Sequence, residues 1–283
     1  MFIVAQISDF HVSTPDSRME TELRTTRRLE LAVEHLNSLD PRPDVVLATG
    51  DLVDRGTAAE YAEVRALLGR LTMPCYAIPG NHDRRDTMRQ AFAEDGYLNG
   101  ADGFLHYSIE DYPLRLVALD TVIPGKTGGT LCEERLAWLD STLAGAPDRP
   151  TLVFMHHPPL HTGISKMDEE GFDATADLAR VLRDHPQVEA VVAGHIHRKI
   201  SGRLARSAVC TCPSTSHQIG LELGDEQRLR IVLEPPACLL HVWFGPDHGL
   251  ASHLSYVGDG FPGSVVFDGK NWTDDKMPPL PAM

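Results

Sequence analysis

The sequence predicts an α/β fold in which two sheets pack face to face with helices outside them. Up to about residue 198, short apolar runs alternate with helical patterns, and after that point strands and turns dominate. Hydrophobic residues make up 42% and charged residues 23% of the 283 residues, which is ordinary for a globular chain with a real core. We find no internal repeat and no long linker.

The first quarter of the chain alternates strands and helices. Apolar runs at 2–8 and 44–49 have the length and content of buried strands. Thr57 and Glu60 form a capping box that predicts the start of a helix. Apolar residues on one helical face predict an earlier helix that ends before a proline: Leu29, Val33, Leu36 and Leu39, followed by Pro41.

Later segments continue the alternation. Thr130 and Glu133 predict a second capping box, opening a helix whose apolar side carries Leu136, Leu139 and Leu143. A further helix is predicted at 175–184, and strands are predicted at 74–78, 116–119, 151–155, 188–193, 199–204, 207–211, 229–233 and 237–244. We expect a catalytic domain at 1–234 and a strand-rich C-terminal extension at 235–283, packed on the core or on another subunit.

Charge and composition exclude several classes of partner. With 26 Lys and Arg against 40 Asp and Glu, the formal charge of −14 argues against nucleic acid and anionic membranes as partners. It does not argue against an anionic substrate, because bound metal ions reverse the local charge. The five cysteines are irregularly spaced, the N-terminus reads as a strand, and no apolar run has membrane-spanning length. We therefore expect a cytoplasmic protein with free thiols.

Polar residues follow five of the predicted strands. Because ligand sites form at the carboxyl ends of strands in α/β folds, we expect these side chains to form one cluster. The residues are Asp9, His11, Asp51, Asn81, His82, His156, His195 and His197. Mixed oxygen and nitrogen ligands without thiolate suit Mn, Fe, Zn or Co. Seven of these groups exceed one tetrahedral shell and fit two divalent metals that share a bridging carboxylate.

These motifs resemble the signature of the calcineurin-like metallophosphoesterases, over residues 9 to 197. The segments 154–159 and 214–218, together with Asp120, look like its class III cyclic nucleotide phosphodiesterases and related bacterial glycerophosphodiesterases. The resemblance implies a four-layer αββα sandwich. It also implies that Asp51 bridges the metals, with Asp9, His11 and His197 on one and Asn81, His156 and His195 on the other. By the same resemblance, His82 is the catalytic residue, and Asn81, His82 and His217 bind substrate.

The implied activity is hydrolysis of small phosphodiesters, such as cyclic nucleotides or glycerophosphodiesters, by in-line attack of a metal-bridging hydroxide. A phosphomonoesterase or nucleotidase is the alternative, and a non-catalytic scaffold is a remote one because all seven ligands are present. Arg55, Arg84 and Arg85 either bind a dianion or are solvated loop residues, and we favour the second interpretation. The subgroup also implies a homo-oligomer, a dimer or larger.

Overall fold

The computed structural model describes residues 1–98, 103–224, 228–258, 264–267 and 269–272. The predicted C-terminal extension includes residues 259–263, 268 and 273–283, which lie outside this described part. Thirteen strands are present in it, and eleven of them belong to two large sheets.

The first sheet has the strand order β13-β12-β1-β2-β3. Its parallel centre consists of β1 (Phe2–Ile7), β2 (Val45–Thr49) and β3 (Cys75–Ile78). Two antiparallel strands from the C-terminal region, β12 (Ala237–Trp243) and β13 (Leu250–Tyr256), extend it beyond β1. The chain therefore returns from its C-terminal region to complete the sheet that its first residues began.

The second sheet has the order β4-β5-β6-β7-β9-β8. Strands β5, β6, β7 and β9 run parallel, and antiparallel strands close both edges. The bounds are β4 (Tyr107–Ile109), β5 (Arg115–Leu119), β6 (Thr151–Met155), β7 (Val188–Ala193), β8 (Ser201–Leu204) and β9 (Ser207–Thr211). A separate hairpin pairs β10 (Gln218–Ile219) with β11 (Ile231–Val232).

Alternation along β6 shows how the layers are built. Leu152 and Phe154 point into the core between the two sheets, whereas Val153 and Met155 point to the opposite face. That outer face packs against apolar residues of two helices, because successive side chains of a strand point to opposite faces. Each fully buried leucine or phenylalanine contributes about 1.5–3 kcal/mol. Both faces of the sheet are covered, and the predicted αββα sandwich is confirmed.

The helices lie outside the sheets, and one predicted cap is wrong. Thr57 and Glu60 form the predicted capping box of α3. Thr130 does not cap α5, which begins at Glu133 after Cys132, because the Thr130 N–H is tied to the Thr121 carbonyl in the preceding loop. The bounds are α1 (Arg18–Leu23), α2 (Thr25–Ser38), α3 (Ala58–Leu68), α4 (Arg85–Ala91), α5 (Glu133–Ala144), α6 (Ser165–Glu169) and α7 (Thr175–Asp184). In the described part of the chain, no helix has the length and apolar content needed to span a membrane.

Candidate metal centre

The loops that follow five parallel strands meet at one end of the sandwich. Asp9 and His11 follow β1, Asp51 follows β2, and Asn81 and His82 follow β3 in the first sheet. The second sheet contributes His156 after β6, and His195 and His197 after β7. Cross-sheet contacts join the two sets: the Nε2 atoms of His11 and His197 lie 3.1 Å apart. The structure therefore brings together the eight residues that the sequence placed in one cluster.

Backbone conformation sets these loops apart from the rest of the chain. Asp9, His11, Asp51, His195 and His197 all have φ between 50° and 69°, the left-handed region. Only two other non-glycine residues of the described chain, Arg24 and Ala205, share it. Each such residue costs about 1–2 kcal/mol, and strain of this kind concentrates at functional sites. The local sequence does not indicate this conformation at Asp9, His11 and His197, because these three residues have no adjacent glycine.

Glycines allow the loops to approach each other. Gly50 has a φ of 89°, and a Cβ there would lie 2.5 Å from His156 Nδ1. At Gly80 a Cβ would lie 2.3 Å from both the backbone nitrogen and Oδ1 of Asp51. Any larger residue at either position would push apart the groups that form the cluster.

Asp51 occupies the centre of the cluster. Its Oδ2 atom lies 3.4 Å from His156 Nε2 and 3.7 Å from His11 Nε2. Its other oxygen, Oδ1, accepts a hydrogen bond of 2.9 Å from the backbone N–H of His82. One carboxylate thus faces histidines from both sides of the cluster.

Backbone carbonyls fix the orientation of two histidines. His156 Nδ1 donates to the Thr49 carbonyl at 2.8 Å, and His197 Nδ1 donates to the His217 carbonyl at 2.8 Å. In the neutral rings the Nε2 lone pairs then point at acceptors: Asp51 and the Asn81 Oδ1 atom for His156, and Asp9 Oδ1, at 3.3 Å, for His197. Lone pairs facing carboxylates repel unless a cation or a proton lies between them, so this arrangement fits bound metal.

Unpartnered buried atoms support the same conclusion. His11 Nδ1 and His195 Nε2 are buried and have no hydrogen-bond partner in the described part of the chain, although buried polar atoms normally have one. Ligand atoms of Asp9, His11, Asp51 and His197 lie within 4.8 Å of one another, as do those of His156, His157 and His195. The buried Asp and His residues therefore form a cluster able to hold metal ions.

Nearby charge decides the protonation of the histidines. Burial alone would lower the pKa of His156, but the adjacent Asp51 charge raises this pKa to about 9. Burial lowers the pKa of His195 to about 3, with the charge of His156 acting in the same direction. Burial also opposes ionisation of Asp51, yet the charge of His156 holds the Asp51 pKa well below its usual value. Without metal, the cluster therefore contains an ionised Asp51, a protonated His156 and a neutral His195. A bound metal would replace the proton of His156, because imidazole binds metals in its neutral form.

Asn81 and His82 lie on the open side of the cluster. His82 Nδ1 donates to the Asp54 carbonyl at 2.9 Å, which leaves Nε2 facing outward, and the side chain is 38% exposed. Burial lowers the pKa of His82, but the charges of Asp51 and Asp54 outweigh this and raise it above its usual value. Both residues line a cleft of about 1130 Å³. Asp83 is buried, accepting hydrogen bonds from Tyr61, Leu52 and Gly80.

His217 is placed against the cluster. Its ring centroid lies 4.6 Å from that of His197 and 5.4 Å from that of His11. Ser214 supports this loop, because its hydroxyl donates to the Asp9 carbonyl at 2.7 Å and accepts from the His217 N–H. Burial lowers the pKa of His217 to about 3. Proximity agrees with the predicted placement, and the substrate-binding role stays a prediction.

Three supporting contacts were not predicted from the sequence. Arg85, expected to be a solvated residue, instead forms a two-pronged ion pair with the fully buried Asp120 at 2.5 and 2.8 Å. His157 uses both ring nitrogens, with Thr121 Oγ1 at 2.8 Å and the Thr127 carbonyl at 2.9 Å. The Tyr61 hydroxyl donates to Asp83 at 2.8 Å. These partners lie 22 to 36 residues apart, so no local pattern could reveal them.

The family follows from this fold and site. Residues 2–199 match the family described as calcineurin-like phosphoesterase, and the chain belongs to that family. A protein of Arcobacter nitrofigilis named probable glycerophosphodiester phosphodiesterase GpdQ is 37% identical over 266 residues, which cover 94% of this chain and 96% of the relative. The 3',5'-cyclic adenosine monophosphate phosphodiesterase CpdA of Pseudomonas aeruginosa is 32% identical, over 76% of this chain and 77% of the relative.

Solved structures show the same architecture. A dimetal phosphatase from Danio rerio aligns with a TM-score of 0.63 and covers 91% of this chain and 99% of its own. At 15% sequence identity, this likeness concerns the fold alone.

Proposed function

We propose that this chain is a metal-dependent phosphodiesterase that hydrolyses small phosphodiesters, either glycerophosphodiesters or cyclic nucleotides. The names of the relatives and the family support the activity. The observation that carries it is the position of Asp51 Oδ2 between His156 Nε2 and His11 Nε2, because a carboxylate so placed can bridge two cations.

Two divalent metals would occupy the cluster, with Mn, Fe, Zn or Co as the candidates that its donor atoms favour. Asp9, His11 and His197 would hold one metal, Asn81, His156 and His195 the other, and Asp51 both. When bound, the metals supply Lewis-acid stabilisation of the phosphate oxygens and lower the pKa of water. His156 and His197 would bind through Nε2, because their Nδ1 atoms are already hydrogen-bonded to backbone carbonyls.

The residues on the open side would handle the substrate. Asn81 and His82 line the cleft beside the cluster, so they face the phosphate and its departing alcohol. The Asp54 carbonyl fixes Nδ1 of His82, and Nε2 is the atom that donates a hydrogen bond or a proton to the departing oxygen. His217 would contact the substrate from the side of His11 and His197. We propose direct in-line displacement by water, which predicts inversion at a chiral phosphorus; retention would contradict it.

Substrate class is tested with two aryl esters. On the metal-loaded enzyme, kcat/KM for bis(p-nitrophenyl) phosphate should exceed that for p-nitrophenyl phosphate by at least about tenfold. Each rate is measured by nitrophenolate release, with chelator-treated enzyme as the control. A strong preference for the monoester would support the phosphomonoesterase alternative, and loss of both rates would support a scaffold.

We also propose a homo-oligomer. Five large apolar residues on and around the β10–β11 hairpin are 45–67% exposed, namely Leu221, Leu223, Leu229, Ile231 and Leu233. Such a patch favours burial against a second copy. Light scattering of the Leu223→Ser/Ile231→Ser variant should give a smaller mass than the wild type. Truncation at residue 235 is unsuitable, because β12 of the proposed 235–283 extension pairs directly with β1 of the proposed 1–234 catalytic domain.

We propose a cytoplasmic location because the cysteines of this chain are free. All five are free thiols, and three of them, Cys210, Cys212 and Cys238, are buried. Free thiols in this number are typical of a reducing compartment. Fractionation of the native host with a cytoplasmic marker enzyme tests the location.

A further inference from the structure

We infer that the cleft selects phosphodiesters whose second alcohol carries negative charge, and that Arg84 and Lys126, which both line the cleft, make this selection. The inference rests on the proposed phosphodiesterase function and deepens it. Both residues line the same cleft of about 1130 Å³ as Asn81 and His82, so an alcohol group on a phosphate bound at those two residues would lie in the space that they line.

Arg84 stands on a fixed backbone. Its N–H donates to the Tyr61 hydroxyl at 3.2 Å, and that hydroxyl is itself anchored to the buried Asp83. The aliphatic stem of Arg84 lies against Gly56, where a Cβ would come within 2.4 Å of the Arg84 Cγ atom. Stem and backbone are thus both held, while the residue remains exposed to the cleft.

Lys126 lies on a loop whose backbone is held by hydrogen bonds. Its N–H donates to the Ile123 carbonyl at 3.0 Å, which closes a turn. The next residue, Thr127, accepts a hydrogen bond of 2.9 Å from Nε2 of the fully buried His157. Gly129 leaves room for that ring, since a Cβ there would lie 2.4 Å from it. The buried His157, next to His156 in the sequence, therefore fixes the loop that carries Lys126.

The other charges of the cleft are already occupied. Arg85 is neutralised by Asp120, and Arg55 lies 3.6 Å from Asp54. Asp83 faces its own hydrogen-bond donors, and Asp86 lies 3.5 Å from Arg89. Within the described residues, by contrast, no carboxylate lies within ion-pair distance of Arg84 or Lys126. Two uncompensated cations therefore face the cleft of a chain whose formal charge is −14.

Such a pair distinguishes alcohols by charge. Each cation attracts an anionic group a few ångströms away by about 1 kcal/mol in a water-filled cleft, and it repels a cationic group by a similar amount. A carboxylate or phosphate on the second alcohol is therefore favoured over the quaternary or primary ammonium of choline and ethanolamine esters.

Three glycerol phosphodiesters of similar size test the inference on the metal-loaded full-length enzyme. Their second alcohols are glycolate, ethylene glycol and choline, which add a charge of −1, 0 and +1. Phosphorus NMR follows consumption of each diester, so the result does not depend on which alcohol departs. We expect kcat/KM for the glycolate ester to exceed that for the choline ester by about tenfold or more.

Substitutions assign the preference to the two residues. Arg84→Gln/Lys126→Gln should reduce the glycolate-to-choline ratio about tenfold. Lys126→Glu should reduce it to a similar extent, because both variants lower the charge of the cleft by two units. Arg206→Gln removes an exposed cation from the β8–β9 turn and should leave the ratio unchanged.

The outcomes separate the inference from the proposed function. No hydrolysis of the three diesters, of a 3',5'-cyclic nucleotide or of bis(p-nitrophenyl) phosphate would overturn the phosphodiesterase proposal itself. Hydrolysis of the neutral ester with a charge preference that both cleft variants retain would overturn the inference alone. A preference that weakens in both cleft variants but not in Arg206→Gln would support it.

Discussion

The floor and the wall of the cleft are built in opposite ways. We call floor the cluster able to hold metal ions, which adjoins the cleft at Asn81 and His82. In it Asp9, Asp51 and His156 are buried, and five residues have a left-handed backbone conformation. The wall carries Arg84 and Lys126, whose charged ends are exposed and whose backbones alone are fixed. Burial gives each charge of the floor a large energetic effect, whereas water reduces the effect of each charge in the wall.

This difference separates chemistry from selectivity. By the proposed function, displacing a group in the floor should remove reactivity toward every substrate, because metal and phosphate binding would depend on it. By the further inference, displacing a charge in the wall should change only which alcohol is favoured. We therefore test the difference between floor and wall by substituting the same type of residue once at a buried position and once at an exposed position.

The largest expected effect is that of Asp51→Asn. Neutralising the central carboxylate removes the proposed bridge, and the loss of metal-assisted stabilisation should lower kcat/KM by more than about 10⁴-fold. Bis(p-nitrophenyl) phosphate hydrolysis and metal content by mass spectrometry measure the change. The exposed Asp148→Asn should match the wild type in both. Full activity of the Asp51 variant with two metals bound would contradict the role of the floor.

His82→Ala should have the next largest effect. If Nε2 protonates the departing oxygen, kcat for a diester with an alkyl leaving group should fall by roughly 10²–10⁴-fold. A nitrophenyl diester, whose leaving group needs no proton, should lose much less. His161→Ala, at a side chain that is 96% exposed, serves as the matched control. An unchanged rate with the alkyl diester would remove His82 from the mechanism.

Arg85→Met tests a buried ion pair against an exposed one. Leaving Asp120 buried without its partner should lower the free energy of unfolding by about 3 kcal/mol. Arg18→Met breaks a pair with Glu22 in which both side chains are more than half exposed, and its effect on the free energy of unfolding should be much smaller, because solvent screens such a pair. Urea denaturation of both variants gives the comparison. Equal losses would show that burial of the Arg85 pair has no special effect.

The smallest expected effect is a pH dependence of stability from His241. This fully buried ring donates to Gln6 Oε1 at 3.0 Å and accepts from Ser252, and burial lowers its pKa to about 3. In the unfolded chain the pKa returns to about 6.5, so the stabilisation is complete above pH 6.5 and is lost as the pH falls toward 3. At pH 5 the loss should be about 2 kcal/mol.

His241→Gln keeps a donor and an acceptor without the titration. The difference in unfolding midpoint between pH 7.5 and pH 5 should therefore be smaller in this variant than in the wild type. His253→Gln, at an exposed position of the neighbouring strand, should keep the wild-type difference. Identical pH profiles for all three proteins would rule out His241 as a source.

Local patterns predicted most of the helices and strands, and the fold brings together the polar residues that follow the strands. The capping box at Thr57 and Glu60 was predicted correctly, because both partners lie within one helical turn. A similar pattern at Thr130 failed, because a long-range hydrogen bond to Thr121 holds that residue in the loop. The expectation that Arg85 is solvated was also wrong, because its partner Asp120 lies 35 residues away and the local sequence does not indicate the pair.

By itself, the sequence determined the chemistry: which Asp, Asn and His residues follow the strands, and hence what kind of ion they suit. It did so because strand period and turn residues are local properties of the chain. Only the tertiary structure decided the orientation of His156 and His197 and the exposure of two cleft cations, Arg84 and Lys126, that have no carboxylate within ion-pair distance among the described residues. These features depend on groups that are far apart in the sequence, such as the Thr49 carbonyl that binds His156, and only folding brings such groups together.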